Sequence, residues 1–193
     1  GKSISRKEDE EALQEKLLLY DKKGEEHYNV ISAFIKSMRG SSPSGTLYWL
    51  ARLIEAGEDP LFIARRMVIL ASEDIGNADP RALQIAIAAM QAVHFVGMPE
   101  GRINLAQAAT YLATAPKSNA SYKGINEAQA EVRNSGALPV PLHLRNAPTK
   151  LMKEMGYSKG YKYAHDYEGG YTNQNALPEG LENREYYQPT ERG

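Results

Sequence analysis

The sequence predicts a mainly α protein: a helical bundle followed by an irregular tail rich in proline and tyrosine. Three observations predict it. Apolar residues recur at three- and four-residue spacing through most of residues 7–135, the period of a helix with one buried face. Start and stop signals repeat along the same stretch. Ser42-Pro43, Asp59-Pro60 and Asp79-Pro80 open helices, and Gly40, Gly57, Gly76 and Gly136 close them. At Ala137 the composition then changes abruptly, with three prolines in the ten residues 139–148.

The first element is a charged amphipathic helix over 7–20, with Ala12, Leu13, Leu17 and Tyr20 on a narrow stripe, ended by Asp21-Lys22-Lys23-Gly24. Its abrupt opening is expected of a chain cut from something longer. Gly1-Lys2-Ser3 matches the end of a phosphate-binding loop, but the motif's first glycine is missing, so a chance match is the reading. A second helix runs over 26–39 with Tyr28, Ile31, Phe34, Ile35 and Met38 on one face. The third starts at Ser42-Pro43 and turns Leu47, Leu50, Ala51 and Ile54 inward, closing at Gly57. Gly45 in its first turn is a weakness of under about 1 kcal/mol. Trp49, the one tryptophan, lies off that stripe and is either an edge-of-core residue or a subunit contact.

The stretch 58–82 specifies a helix, a short turn and another helix. Asp59 is the expected N-cap, Pro60 the first helical residue, and Leu61, Ala64, Val68, Ala71 and Ile75 the apolar stripe. Asp79-Pro80 repeats the start signal. Glu73 and Asp74 look like chemistry, but they point about 100° apart on a helix and sit where the dipole disfavours carboxylates. A structural ion pair, with Arg65, Arg66 or Arg81 as partner, is the expected role. The next helix, 80–96, is apolar around most of its circumference and so is expected to be buried on several sides. His94 in its last turn suits the helix dipole better than a metal.

After the turn 97–100, Ile103, Leu105, Ala106, Ala109, Tyr111, Leu112 and Ala113 pack a further helix that ends at Pro116. Another spans 117–135 with a polar outer face. Their alanines allow closely approaching axes. Residues 137–148 form an extended strap, followed by a short helix over 149–155. Residues 157–193 hold seven of the twelve tyrosines, and short strands are expected near 161–163 and 185–187. Charge divides along this end. Residues 137–165 carry a net +4 and residues 166–193 a net −4. The two stretches fold on each other, or Arg145, Lys150, Lys153, Lys159 and Lys162 grip phosphates.

Whole-chain numbers narrow the classes. The 193 residues are 42% hydrophobic and 24% charged with a formal net charge of −1, which is globular composition without a global basic field. There is no cysteine, hence no disulfide, thiolate metal site or thiol nucleophile. No apolar run approaches the roughly 20 residues of a membrane span, and the charged start lacks a signal-peptide core. A cytoplasmic protein with no membrane partner is expected. No complete phosphate loop, His-Glu-x-x-His pair or Gly-x-Ser-x-Gly elbow is present. His143, His165 and Asp166 are a weak metal set on irregular segments. No catalytic, cofactor or metal residue is assigned.

Several stretches together carry a family resemblance: Tyr20-Asp-Lys-Lys-Gly-Glu-Glu-His-Tyr-Asn29, Leu47-Tyr-Trp-Leu-Ala-Arg52, Ala71-Ser-Glu-Asp-Ile-Gly-Asn-Ala-Asp-Pro-Arg-Ala-Leu83, Tyr111-Leu-Ala-Thr-Ala-Pro-Lys-Ser-Asn119, Leu138-Pro-Val-Pro-Leu-His-Leu-Arg-Asn-Ala-Pro-Thr-Lys-Leu-Met-Lys153 and Tyr163-Ala-His-Asp-Tyr167. The chain resembles the C-terminal region of the replication-associated recombination protein A family, bacterial AAA+ ATPases related to the eukaryotic Werner-helicase-interacting ATPase. The resemblance implies that residues 1–22 end the AAA+ lid and that 23–193 form a helical oligomerisation domain, similar to the clamp-loader C-terminal collar, that makes a homotetramer. It implies a parent that binds ATP and Mg²⁺ in an N-terminal core, acts on DNA with replication proteins, and is nucleoid-associated in a bacterium. No Walker A, Walker B or arginine-finger segment can be matched here, so the expected function is non-catalytic assembly. The alternative is a helical module that binds single-stranded or forked DNA.

Overall fold

A computed structural model describes residues 24–191. The expected helix over 7–20, the Gly1-Lys2-Ser3 opening and the lid region 1–22 lie outside the described residues. The described chain is mainly α and falls into two compact units, one over 24–123 with 188–191 and one over 124–187.

In the first unit α1 (Glu25–Arg39), α2 (Pro43–Glu55), α3 (Pro60–Leu70), α4 (Arg81–Val96) and α5 (Gly101–Thr114) pack together. α5 is central and touches the other four. The start signals work as local chemistry dictates: Ser42 Oγ accepts from Gly45 N, and Asp59 Oδ1 accepts from Leu61 N at 3.0 Å, each ahead of a proline in the first turn. Phe34, Met38, Ile63, Met67, Ile75, Leu105 and Leu112 are fully buried. At about 1.5–3 kcal/mol for each such side chain, this core outweighs anything on the surface.

Several faces are rotated from the sequence reading. α2 buries Thr46, Leu50 and Leu53 and leaves Leu47 and Ala51 exposed. α3 buries Ile63, Ala64, Met67 and Leu70, while Leu61 and Val68 are half-buried. Tyr28 and Ile103 stand largely in solvent. A stripe wide enough to give two adjacent apolar faces does not say which one meets the neighbouring helix. α3 also stops at Leu70. Its continuation is a π turn over Ala71–Ile75 and a 3₁₀ turn over Gly76–Ala78. Gly76 has φ +51°, and a Cβ there would lie 3.0 Å from the Ser118 carbonyl, so the turn requires glycine.

The second unit begins within α6 (Ala120–Ser135), which starts later than expected, where Ser118 Oγ accepts from Ala120 N at 3.4 Å and the Asn119 carbonyl accepts from Lys123 N at 2.9 Å. The strap that follows contains a 3₁₀ turn at Leu142–Leu144, then comes α7 (Lys150–Glu154), N-capped by Thr149 Oγ1, which accepts from Met152 N at 3.2 Å. The tail holds 3₁₀ turns at Ala164–Asp166 and Glu168–Gly170. The strands expected near 161–163 and 185–187 do not form. Side chains take the backbone partners instead: Lys162 N donates to Gln174 Oε1 at 3.1 Å, and Gln174 Nε2 donates to the Gly160 carbonyl at 2.9 Å. Near 186 the chain runs directly over Gly124 of α6, too close for a side chain there.

Candidate assembly surface

The carboxylates of the π turn serve a clamp. Arg39, at the end of α1, donates from Nε and Nη2 to Asp74 at 2.6 and 3.1 Å, and its guanidinium lies 3.8 Å from Glu73. The Asp74 hydrogen bonds raise the Arg39 pKa above its ordinary value. The partner is therefore Arg39, 35 residues away, and not Arg65, Arg66 or Arg81. Lys117 closes the same corner, its Nζ donating to the carbonyls of Ala115 at 2.6 Å and Ala113 at 3.2 Å. Burial lowers its pKa, opposed by the Asp74 charge. These bonds tie the end of α1 to the π turn after α3, as a joint between helices.

Asp79 is a second joint. It is 7% exposed. Its Oδ1 accepts from Arg81 N at 3.2 Å and Arg81 Nε at 2.9 Å, and its Oδ2 accepts from the Tyr111 hydroxyl. The Arg81 guanidinium and then the Tyr111 hydroxyl hold its pKa below the usual carboxylate value. Asp59 carries a lesser version of the same device, exposed and paired with Arg65 at 3.2 Å.

The apolar circumference of α4 resolves into two faces. Ala82, Ala86, Ala89 and Val93 are buried. The adjoining stripe, Ile85, Ala88, Ala92 and Phe95, is spaced three, four and three residues apart, as in a coiled-coil seam, with Ile85 half-buried at its edge against the core. Phe95 is 91% exposed and the adjoining Val96 is 50% exposed. Ile85, Ala88 and Ala92, with Asn104 and Gln107 of α5, line an open groove of about 230 Å³. The expectation that this helix is buried on several sides thus fails within one copy of the chain. Trp49 is half-buried, packed against the core and edge-on to Tyr48 at 5.0 Å, with Tyr48 58% exposed.

The five basic residues are not equivalent. Arg145 is structural: its Nε donates to the Val140 carbonyl at 2.7 Å, and its guanidinium sits 5.1 Å from the centre of the Tyr157 ring. Lys150 is 3.9 Å from Glu154 on its own helix. Lys153, Lys159 and Lys162 are exposed. His143 donates to the Asn175 carbonyl at 2.8 Å, and the His165 ring lies against Tyr163. Among the described residues no cluster of three His, Asp or Glu could hold a metal, and no helix is long and apolar enough to cross a membrane.

The family described as "MgsA AAA+ ATPase C terminal" matches residues 40–193, and a second, "AAA C-terminal domain", matches residues 1–39. The chain belongs to the MgsA C-terminal family. It is 53% identical over 185 residues to replication-associated recombination protein A of Coxiella burnetii and 52% identical over 184 residues to that of Escherichia coli K12, each alignment covering 95% of this chain. It is also 46% identical to the ATPase WRNIP1 of Dictyostelium discoideum over 96% of its length. The chain spans only 42% and 41% of the two bacterial relatives and 21% of the Dictyostelium protein. Both matched families are C-terminal regions, and together they account for all 193 residues, so these residues are C-terminal to the ATPase core of the relatives. Its relatives carry names of replication-associated recombination proteins.

In this family member, sequence reasoning missed Phe95, the Tyr111–Asp79 bond and the Arg39 clamp. The first had a readable signal, the 85–88–92–95 spacing beside a second apolar stripe. The other two join segments over 30 residues apart and leave no local trace.

Proposed function

We propose that this C-terminal region assembles copies of its parent ATPase into a homo-oligomer, a tetramer in the fashion of the clamp-loader collar. The observation that carries the reading is the outer stripe of α4. Ile85, Ala88, Ala92 and Phe95 form an apolar seam on a helix whose other face already fills the core. Small residues beside a projecting ring let a second helix approach closely, with Phe95 of one copy entering the groove of the next. In this reading ATP and Mg²⁺ belong to the nucleotide-binding core of the whole protein, and its partners are DNA and replication proteins at stalled or gapped forks. Sedimentation of the chain at tens of micromolar tests the assembly. A multimer is expected, shifted to lower mass by Phe95→Asp; a wild-type monomer refutes it.

A nucleic-acid module is the second reading. It draws on exposed Lys153, Lys159 and Lys162 interleaved with exposed Tyr161 and Tyr163, a combination that suits backbone charge neutralisation with base stacking. It requires binding to a single-stranded oligonucleotide that weakens steeply with salt and is lost in a Lys150→Glu/Lys153→Glu variant.

A further inference from the structure

We infer that the groove between the strap at 139–145 and the loop at 175–182 binds an extended segment of a partner protein, one that carries an apolar side chain close to a lysine or arginine. Both walls belong to the unit over 124–187. Local bonds tie them together. His143 Nε2 donates to the Asn175 carbonyl at 2.8 Å, and the Asn175 side chain closes its own turn on the Leu177 N–H and carbonyl, each at 3.0 Å. Within the strap, Arg145 Nε donates to the Val140 carbonyl at 2.7 Å. Ser158 donates from N to the Leu142 carbonyl at 2.9 Å and from Oγ to the Arg145 carbonyl at 2.6 Å. A groove held in this way is ordered before anything binds, which lowers the entropy cost of binding.

The floor is apolar and accessible. Pro139, Val140, Pro141, Leu142 and Leu177 line an open space of about 330 Å³, and Val140 and Leu142 are 54% and 47% exposed. Such a space holds about two or three side chains, the scale of a peptide anchor site. The strap also offers a backbone donor. Among the described residues the Val140 N–H has no partner, and the prolines on either side have no N–H to give. An extended peptide beside the strap pairs with this donor and lays its apolar residue on the floor.

Charge selects the peptide. Glu179 and Glu182 line the same groove and are exposed. Among the described residues neither makes an ion pair. Glu182 Oε2 accepts from Gly180 N at 2.9 Å, which leaves its other oxygen open. The cations close by are already engaged: Arg184 with Glu131 at 3.0 Å, and Arg145 with the Val140 carbonyl and with the Tyr157 hydroxyl at 3.2 Å. Two open carboxylates beside an apolar floor attract a peptide cation and repel phosphate, which favours a basic peptide over an acidic one and over nucleic acid.

The test titrates the 193-residue chain into three sets of fluorescein-labelled synthetic nonapeptides: apolar residues beside arginines, the same apolar residues beside glutamates, and arginines beside serines. Fluorescence anisotropy is expected to show binding of the first set alone. That binding weakens about tenfold in Glu179→Lys/Glu182→Lys, weakens as salt rises from about 0.05 to about 0.5 M, and is lost in Val140→Asp. All three substituted positions are exposed, and circular dichroism checks that the variants stay helical. Methyl NMR is expected to show the first set shifting Val140, Leu142 and Leu177. Phe95→Asp is expected to bind the first set as the wild type does, so the groove and the α4 seam are read separately. Equal binding of the glutamate set, unchanged affinity in the double variant, or no binding of the first set at about 1 mM overturns the inference. A single-stranded oligonucleotide that shifts the same methyls assigns the groove to nucleic acid and overturns it. A lower sedimentation mass for Val140→Asp than for the wild type assigns it to contact between copies, with the same consequence.

Discussion

Replacing Asp79 by alanine removes one carboxylate that performs two jobs. It accepts the Arg81 N–H that opens α4, and it receives the Tyr111 hydroxyl from α5. Loss of a capping acceptor costs about 1 kcal/mol, with a range of roughly 0.5–2. The guanidinium of Arg81 is exposed and adds little in water. For a unit of 100 residues, about 1 kcal/mol lowers the melting temperature by roughly 4–8 °C. The pH dependence is the sharper part. The folded-state pKa of Asp79 is lowered, so its contribution is complete above the unfolded carboxylate value of about 3.9 and is lost as pH falls through the lower folded value. Urea unfolding of wild type and Asp79→Ala, followed by circular dichroism, is expected to show the full gap at pH 7 and a shrinking one as the wild-type carboxylate protonates below about pH 4. A gap unchanged from pH 7 to the acid limit would refute the assignment of Asp79 as a charged joint.

Three further outcomes are expected. Tyr111→Phe destabilises the chain at neutral pH but converges on wild type in alkali, because the Asp79 bond raises the Tyr111 pKa and that stabilisation is present below about pH 10 and lost above it; thermal melts across pH 7–11 measure it. Gly124→Ala places a Cβ 2.6 Å from the Tyr186 carbonyl while favouring α6 by about 1 kcal/mol, so limited proteolysis should cut faster near 184–187 with helicity retained, and cleavage at the wild-type rate would sink the close-approach reading. Phe34→Ala, at a site of 0% exposure, should cost about 3–5 kcal/mol in denaturant unfolding.

Much of the fold was legible because helix signals are short-ranged. Ser42, Asp59 and Thr149 cap as their neighbours dictate, each bonding an N–H two or three residues on. The C-terminal end read less well. Alternating tyrosines at 161 and 163 suggested a strand, but a ladder needs a second segment in register, and Gln174 took the Lys162 N–H instead. The candidate surface was half legible. An apolar circumference on 80–96 said that more than one face needed cover, while the intramolecular packing supplies only one.

The sequence by itself determined the mainly α character, the helix boundaries to within a few residues, and the family, since each rests on residues within about one turn or on whole words of sequence. Only the tertiary structure decided which face of each apolar helix turns inward, that Asp74 answers to Arg39 and Asp79 to Tyr111, and that Phe95 stands exposed. Those outcomes depend on groups 30 or more residues apart meeting in space, and on how much apolar surface one copy can cover.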